Sequence, residues 1–141
     1  MKLYFLLISL SLFFNTVYAQ NSVVVQVSNF ENDMGVCRAC LFNTEASFNG
    51  EGKPVQCVQT LISNRTTRLV FTNVVSGVYA ISVFHDSNNN NKFDKNFLGI
   101  PKEGYGASKN KLPFASAPTF TENKFSIDTG VTNLKIRLRN L

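Results

Sequence analysis

The chain has 141 residues and a formal net charge of +5, and 44% of its residues are hydrophobic. This length suits one domain of ordinary size and does not require a second. The basic residues are scattered rather than clustered, so the charge favours weak attraction to anionic surfaces and gives no support for a nucleic-acid-binding protein.

Residues 1–19, MKLYFLLISLSLFFNTVYA, have the pattern of a secretory signal peptide. Lys2 supplies the positive start, residues 3–14 the apolar core and residues 17–19 the cleavage site. The apolar run is shorter than the roughly 20 residues that a membrane-spanning helix needs. We therefore expect cleavage after Ala19, a single domain over residues 20–141 and no transmembrane segment after cleavage. The protein should be exported and become periplasmic, outer-surface or secreted.

Most of the chain after residue 20 alternates apolar and polar residues, and no long stretch has helical spacing. The pattern predicts an all-β domain, an antiparallel sandwich of about seven strands. The predicted strands cover residues 23–27, 35–42, 55–62, 67–73, 78–85, 125–127 and 131–139. In residues 134–139, LKIRLR, the apolar residues should enter the core. The three cations are interpreted as a solvated strand face, with an anionic-ligand patch as the alternative.

The segment 86–124 is long and irregular, rich in Asn, Gly, Pro and Lys. It contains too many apolar side chains for a disordered tail. We expect an ordered Ω-like loop that folds back over one end of the sandwich.

Three cysteines follow the signal, and an oxidising compartment makes one disulfide plausible. Cys37 and Cys40 lie three residues apart, so on a strand they face opposite sides and only one can meet Cys57 from the same face. The preferred pair is Cys40 with Cys57, and the alternative is Cys37 with Cys57. The CxxC spacing also occurs in redox and zinc sites, but the second pair of ligands or the helix N-terminus of such sites is not visible here.

The stretch HDSNNNNKFD, residues 85–94, has the ligand spacing of a calcium loop. If Asp86 is position 1, oxygen ligands follow at Asn88, Asn90, the Lys92 backbone carbonyl and Asp94, in positions 3, 5, 7 and 9. Calcium is the one cofactor that the sequence suggests.

Two positions depart from the calcium pattern. Asn91 stands where glycine allows the sharp turn, although asparagine also tolerates positive φ. Phe97 stands where a bidentate glutamate closes the shell, so the affinity should be weak, and Glu103 is a candidate for the missing ligand. The alternative is an Asx-rich turn that hydrogen-bonds its own backbone and needs no metal.

His85 and Asp86 are neighbours, which raises the question of a catalytic pair. Adjacent residues on a strand point to opposite faces, and no nucleophile signature accompanies them. We predict no catalytic residue, and interpret His85 as a strand-end side chain that packs against or caps the loop.

The run GVYAISVFHDSNNNNKFDKNFLGIPKEGYGASKN, residues 77–110, closely resembles the signature of an exported bacterial family labelled domain of unknown function 2141. Asn91 replaces the usual glycine, Leu98 precedes Gly99, and Ala107 stands where an aromatic residue is common. The resemblance implies one domain over most of the chain and brings no activity or catalytic residue. The hairpin at residues 71–79 is also similar, more faintly, to Cna-B and transthyretin-like sandwich modules, which implies a sandwich fold.

These patterns predict an exported β-sandwich that serves as a binding or structural module, with a weak calcium loop at residues 86–94. The alternative is a small-ligand receptor or enzyme that uses a pocket between His85 and the GIPKEGYG segment, which includes Tyr105. The partner is unknown; a cell-surface or protein partner is compatible with the pattern.

Overall fold

The computed structural model of the protein describes residues 20–141 and contains eight strands and two short helices. The predicted signal peptide lies outside these residues. The strands are β1 Asn21–Ser28, β2 Val36–Phe42, β3 Gln56–Leu61, β4 Thr66–Val74, β5 Gly77–Asp86, β6 Tyr105–Ala107, β7 Phe125–Ile127 and β8 Val131–Arg137. The helices are α1 Glu45–Phe48 and α2 Phe120–Asn123. No helix in this part of the chain is long and apolar enough to span a membrane.

The strands form two sheets, which confirms the predicted all-β sandwich. One sheet has the order β4-β1-β8, and the other has the order β3-β2-β5-β6, with β7 also paired to β5. Alternate residues of β1, namely Val23, Val25 and Val27, are fully buried, because a strand sends successive side chains to opposite faces. Together with Phe30 and Phe71 they form part of one apolar core between the sheets.

One strand pair departs from the predicted antiparallel pattern. All pairs are antiparallel except β1 with β8, which run parallel from Ser22 beside Val131 to Ser28 beside Arg137. The cause lies at the start of β8. Gly130 donates its N–H to the Asn21 side chain and accepts the N–H of Ser22, so the chain enters this sheet beside the beginning of β1.

The segment 86–124 is ordered, as predicted, but it contains two elements that its irregular composition did not reveal. β6 adds a three-residue strand to β5, and α2 precedes β7. Buried polar groups hold the segment in place: the Ser108 hydroxyl accepts the N–H of Ile81 and donates to the Asn123 carbonyl. The Asn123 side-chain oxygen in turn accepts the N–H groups of Lys109 and Lys111.

The last strand matches the predicted alternation only in part. Ile136 and Leu138 are buried, but Leu134 is half-buried at the edge of the core. Arg139 was expected on the solvent face, yet its guanidinium donates to the carbonyl oxygens of Leu112 and Pro113. This half-buried cation therefore ties residues 112–113 of the long segment to the end of the last strand.

Candidate functional site

The candidate site begins where β5 ends, at Asp86, whose side chain is fully buried. One carboxylate oxygen, Oδ2, accepts from Arg38 Nε at 2.6 Å and from the Asn91 N–H at 3.0 Å. The other oxygen, Oδ1, accepts the Asn90 N–H at 3.0 Å. The carboxylate thus links β2, which carries Arg38, to the turn that follows β5.

Two opposing effects act on the pKa of Asp86. Burial alone raises the pKa of a carboxyl group, because it disfavours the charged form. The hydrogen bond and charge of Arg38, together with the N–H groups of Asn91 and Asn90, outweigh burial and lower the pKa of Asp86 below its ordinary value. Asp86 is therefore a carboxylate at neutral pH, already paired with a cation of the protein.

The rest of the loop turns around Asp94. Asn88 and Asn90 each donate a side-chain N–H to Asp94 Oδ2, both at 2.8 Å. Their side-chain oxygens accept backbone N–H groups two residues on, from Asn90 and Lys92. These are Asx turns, and the left-handed backbone at Asn89 and Asn91 suits asparagine. The two amides and one carboxylate therefore converge on one point.

Glu103 joins both ends of the loop. Its Oε1 accepts the Ser87 N–H at 3.2 Å, and its Oε2 accepts the Asp94 N–H at 3.0 Å. The side chain is buried. The residue proposed from the sequence to complete the site thus does contact the loop, although it contacts backbone donors rather than the other carboxylates.

The structure brings the predicted residues into one turn, but it also satisfies their polar groups with each other. Among residues 20–141, no group of three His, Cys, Asp or Glu side chains has a geometry that could hold a metal ion. Sequence reasoning missed Arg38, which also contacts the side chains of Gln59 and Asn91. Its neighbour across the strand pair is Phe84, and only this register brings it to Asp86.

His85 does not form a pair with Asp86. The residue is 1% exposed, its ring makes a T-shaped contact with the Phe30 ring at a centroid distance of 5.3 Å, and its Nε2 lies 2.8 Å from the Met34 carbonyl oxygen. Since a carbonyl only accepts, Nε2 carries a proton. The ring is therefore packed against Phe30 and Met34 and closed to solutes.

Tyr105, the other residue of the alternative site, belongs to β6 and is half-buried. Its ring contacts Phe93 at a centroid distance of 5.8 Å, and Phe93 also contacts Phe84 at 5.5 Å. These rings pack Phe93 and the end of the GIPKEGYG segment onto the sheet and leave the tyrosine in an aromatic cluster.

A cavity lies elsewhere in the described part of the chain. It is an open groove of about 830 Å³ against the β4-β1-β8 sheet, beside the turn between β3 and β4. Its lining includes Gln26, Arg68 and Lys135 but neither His85 nor Tyr105.

Cys40 and Cys57 form a disulfide between register partners of β2 and β3, with their Cα atoms 4.1 Å apart. This agrees with the preferred pairing. Cys37 is a free thiol on the opposite, buried side of β2, and burial raises its pKa to about 12. A thiol that stays protonated and inaccessible is a poor nucleophile, so the CxxC spacing serves structure here.

The signature of residues 77–110 now has a structural setting: a buried strand, a capped Asx loop and a hairpin that returns to the sheet. A family model described as "Uncharacterized protein conserved in bacteria (DUF2141)" matches residues 25–135. The chain belongs to this family. The DUF2141 match runs from β1 into β8 and so includes the whole candidate site. Searches of curated proteins and of solved structures found no match.

Proposed function

We propose that this protein acts as an exported β-sandwich binding or structural module, and that the loop at residues 86–94 takes up calcium weakly and so stabilises the fold. The observation that carries the calcium proposal is the convergence of the Asn88 and Asn90 amides on Asp94 Oδ2. A cation at this point would attract the amide oxygens in place of the amide nitrogens, which requires both side chains to rotate and to give up their hydrogen bonds to the N–H groups of Asn90 and Lys92.

Further oxygen atoms lie within the same turn. The Lys92 carbonyl occupies the position that supplies a backbone ligand in calcium loops, and Glu103 is tied to the N–H groups of both loop ends. Asp86 is the first residue of the predicted oxygen array, but its carboxylate already forms an ion pair with Arg38. The guanidinium repels a second cation, so we expect a dissociation constant in the millimolar range of extracellular modules.

Calcium would act on stability, since its ligands assemble only in the folded loop. With a dissociation constant of about 1 mM, 10 mM calcium would add about 1.4 kcal/mol to the free energy of unfolding. For a domain of this size, that corresponds to a rise in melting temperature of about 4 to 6 °C.

The test is the melting temperature in 10 mM calcium chloride, in chelator, and in sodium chloride of equal ionic strength. Asp94→Asn should abolish the calcium response, because it removes the charge on which the amides converge. Asp128→Asn, the same change at an exposed site, should retain it. A melting temperature that calcium does not raise, or raises equally in Asp94→Asn, contradicts the calcium proposal.

A further inference from the structure

The hairpin that follows the candidate loop ends in an exposed apolar tip, formed by Phe97, Leu98 and Ile100. These residues are 95%, 67% and 46% exposed. Single exposed apolar residues are common on soluble proteins, but three within four positions at the end of one hairpin form a contiguous apolar surface.

This tip is held in a fixed conformation. The Asn96 side-chain oxygen accepts the N–H groups of Leu98 at 2.9 Å and Ile100 at 3.0 Å. The Asn96 N–H donates to the Ile100 carbonyl, and Gly99, at φ +78°, provides the left-handed turn. The backbone therefore presents the apolar side chains to solvent instead of allowing them to collapse onto the sandwich.

The base of the hairpin is fixed as well. The Lys102 N–H donates to the Asp94 carbonyl, and Lys95 forms an antiparallel bridge with Pro101. Phe93, which precedes this base, packs between Phe84 and Tyr105. The tip thus projects from an anchored base, as a rigid convex feature.

The exposed charges beside the tip are all positive. Lys92, Lys95 and Lys102 are exposed, and the Lys95 ammonium lies 5.5 Å from the centre of the Phe93 ring. The carboxylates of the same segment are hydrogen-bonded within the protein: Asp94 is half-buried and accepts from two amides, and Glu103 is buried and accepts backbone N–H groups. The surface around the tip is therefore apolar at its end and cationic at its base.

We propose that the apolar tip inserts into the interface of an anionic lipid bilayer, with the three lysines on the phosphate groups. Interfacial binding depends on buried apolar area together with attraction to anionic lipids, and this hairpin supplies both. A bilayer also accepts a convex tip without a matching groove, whereas a protein partner would have to provide one. The inference goes beyond the proposed function and does not require calcium.

A tryptophan reporter tests the insertion directly, because the chain contains no tryptophan. The chain from Gln20 onward, which holds both sheets and the core, would carry Phe97→Trp and be mixed with vesicles. One set contains phosphatidylcholine alone, and the other contains roughly three parts phosphatidylcholine to one part phosphatidylglycerol. We expect a blue shift of the emission and quenching by brominated acyl chains with the anionic vesicles, both in calcium and in chelator.

Vesicle flotation of the chain with its native Phe97 measures how much the apolar tip and the lysines each contribute to vesicle binding. Phe97→Ser should reduce the partition coefficient about 10-fold, and Leu98→Ser several-fold. Leu61→Ser is the matched control, since Leu61 is 76% exposed on β3, and it should leave binding unchanged. The double change Lys95→Gln and Lys102→Gln should reduce binding to anionic vesicles more than 10-fold, with each lysine worth about fivefold.

Three outcomes would overturn the proposal. The first is the absence of vesicle binding, and the second is binding that Phe97→Ser and Leu61→Ser reduce equally. The third is self-association in solution that Phe97→Ser abolishes, which would assign the tip to a contact between copies of the chain. Because each measurement is made with and without calcium, these results stand apart from the calcium response in melting temperature.

Discussion

The ion pair between Arg38 and Asp86 should contribute a measurable share of the stability of the protein. Asp86→Asn keeps the size of the side chain but removes its charge. The asparagine oxygen can still accept one backbone N–H, while its amide N–H groups face the donors of Arg38 and Asn91. A hydrogen bond to a charged group contributes about 1.5 to 3 kcal/mol, and a buried unpaired donor costs a similar amount. We expect Asp86→Asn to lower the free energy of unfolding by about 2 to 3 kcal/mol at pH 7.

The stability lost on Asp86→Asn should become smaller as the pH falls. The folded-state pKa of Asp86 is lowered, so its contribution is fully present above the ordinary aspartate pKa of about 3.9. It disappears as pH falls through the lower folded-state value. The difference between the wild type and Asp86→Asn should therefore be constant from pH 7 to about pH 5 and shrink at more acidic pH.

Urea denaturation at several pH values measures this difference. Asp128→Asn is the matched control, because Asp128 is exposed and its side chain makes no hydrogen bond within residues 20–141; we expect an effect below about 0.5 kcal/mol. A double-mutant cycle with Arg38→Met isolates the pair and should give a coupling energy within the range of about 0.5 to 3 kcal/mol. The reasoning fails if Asp86→Asn costs no more than Asp128→Asn, or if its cost is the same at pH 3 as at pH 7.

Two further predictions concern the covalent and steric supports of the same sheet. Replacing Cys40 and Cys57 by serine should lower the free energy of unfolding by about 3 kcal/mol, since the cross-link spans 17 positions. Urea denaturation without reductant measures this loss. A loss below about 1 kcal/mol would show that the disulfide adds little to the stability of the fold. Gly35→Ala should prevent the native packing or cost at least about 3 kcal/mol, because its Cβ would overlap the carbonyl of Asp86 in a left-handed backbone conformation. Gly50 also has a left-handed backbone but has open space around it, so Gly50→Ala should cost only about 1 to 2 kcal/mol in the same assay. Equal losses of stability at the two glycines would contradict the steric argument.

Periodicity in the sequence was sufficient for most of the fold. A strand with one buried face must alternate apolar and polar residues, so the strand at residues 125–127 and the approximate positions of the other six were readable from the chain. β6 was not, because its sequence Tyr-Gly-Ala has no polar residue between apolar ones, whereas Phe-Ser-Ile of β7 alternates. The parallel direction of β8 was also hidden, since side-chain alternation is the same in parallel and antiparallel strands.

The candidate site shows the same division. The spacing of Asp86, Asn88, Asn90 and Asp94 already defined one polar turn, because side chains two residues apart in an Asx-rich loop reach the same centre. Glu103 was a candidate from the sequence as a calcium ligand, and in the structure it contacts the backbone at both ends of this loop. These contacts join residues that are close in sequence, so the spacing of the residues along the chain already indicates them.

The tertiary structure alone decided which charge Asp86 contacts and what surrounds the loop. Arg38 is 48 positions away in sequence, and it reaches Asp86 through the register of β2 on β5. The burial of His85 against Phe30 and Met34 likewise depends on a distant turn. The exposure of Phe97 could not be read from its apolar character, which by itself predicts burial. Sequence spacing specifies contacts along the chain, whereas strand register and packing specify contacts across it.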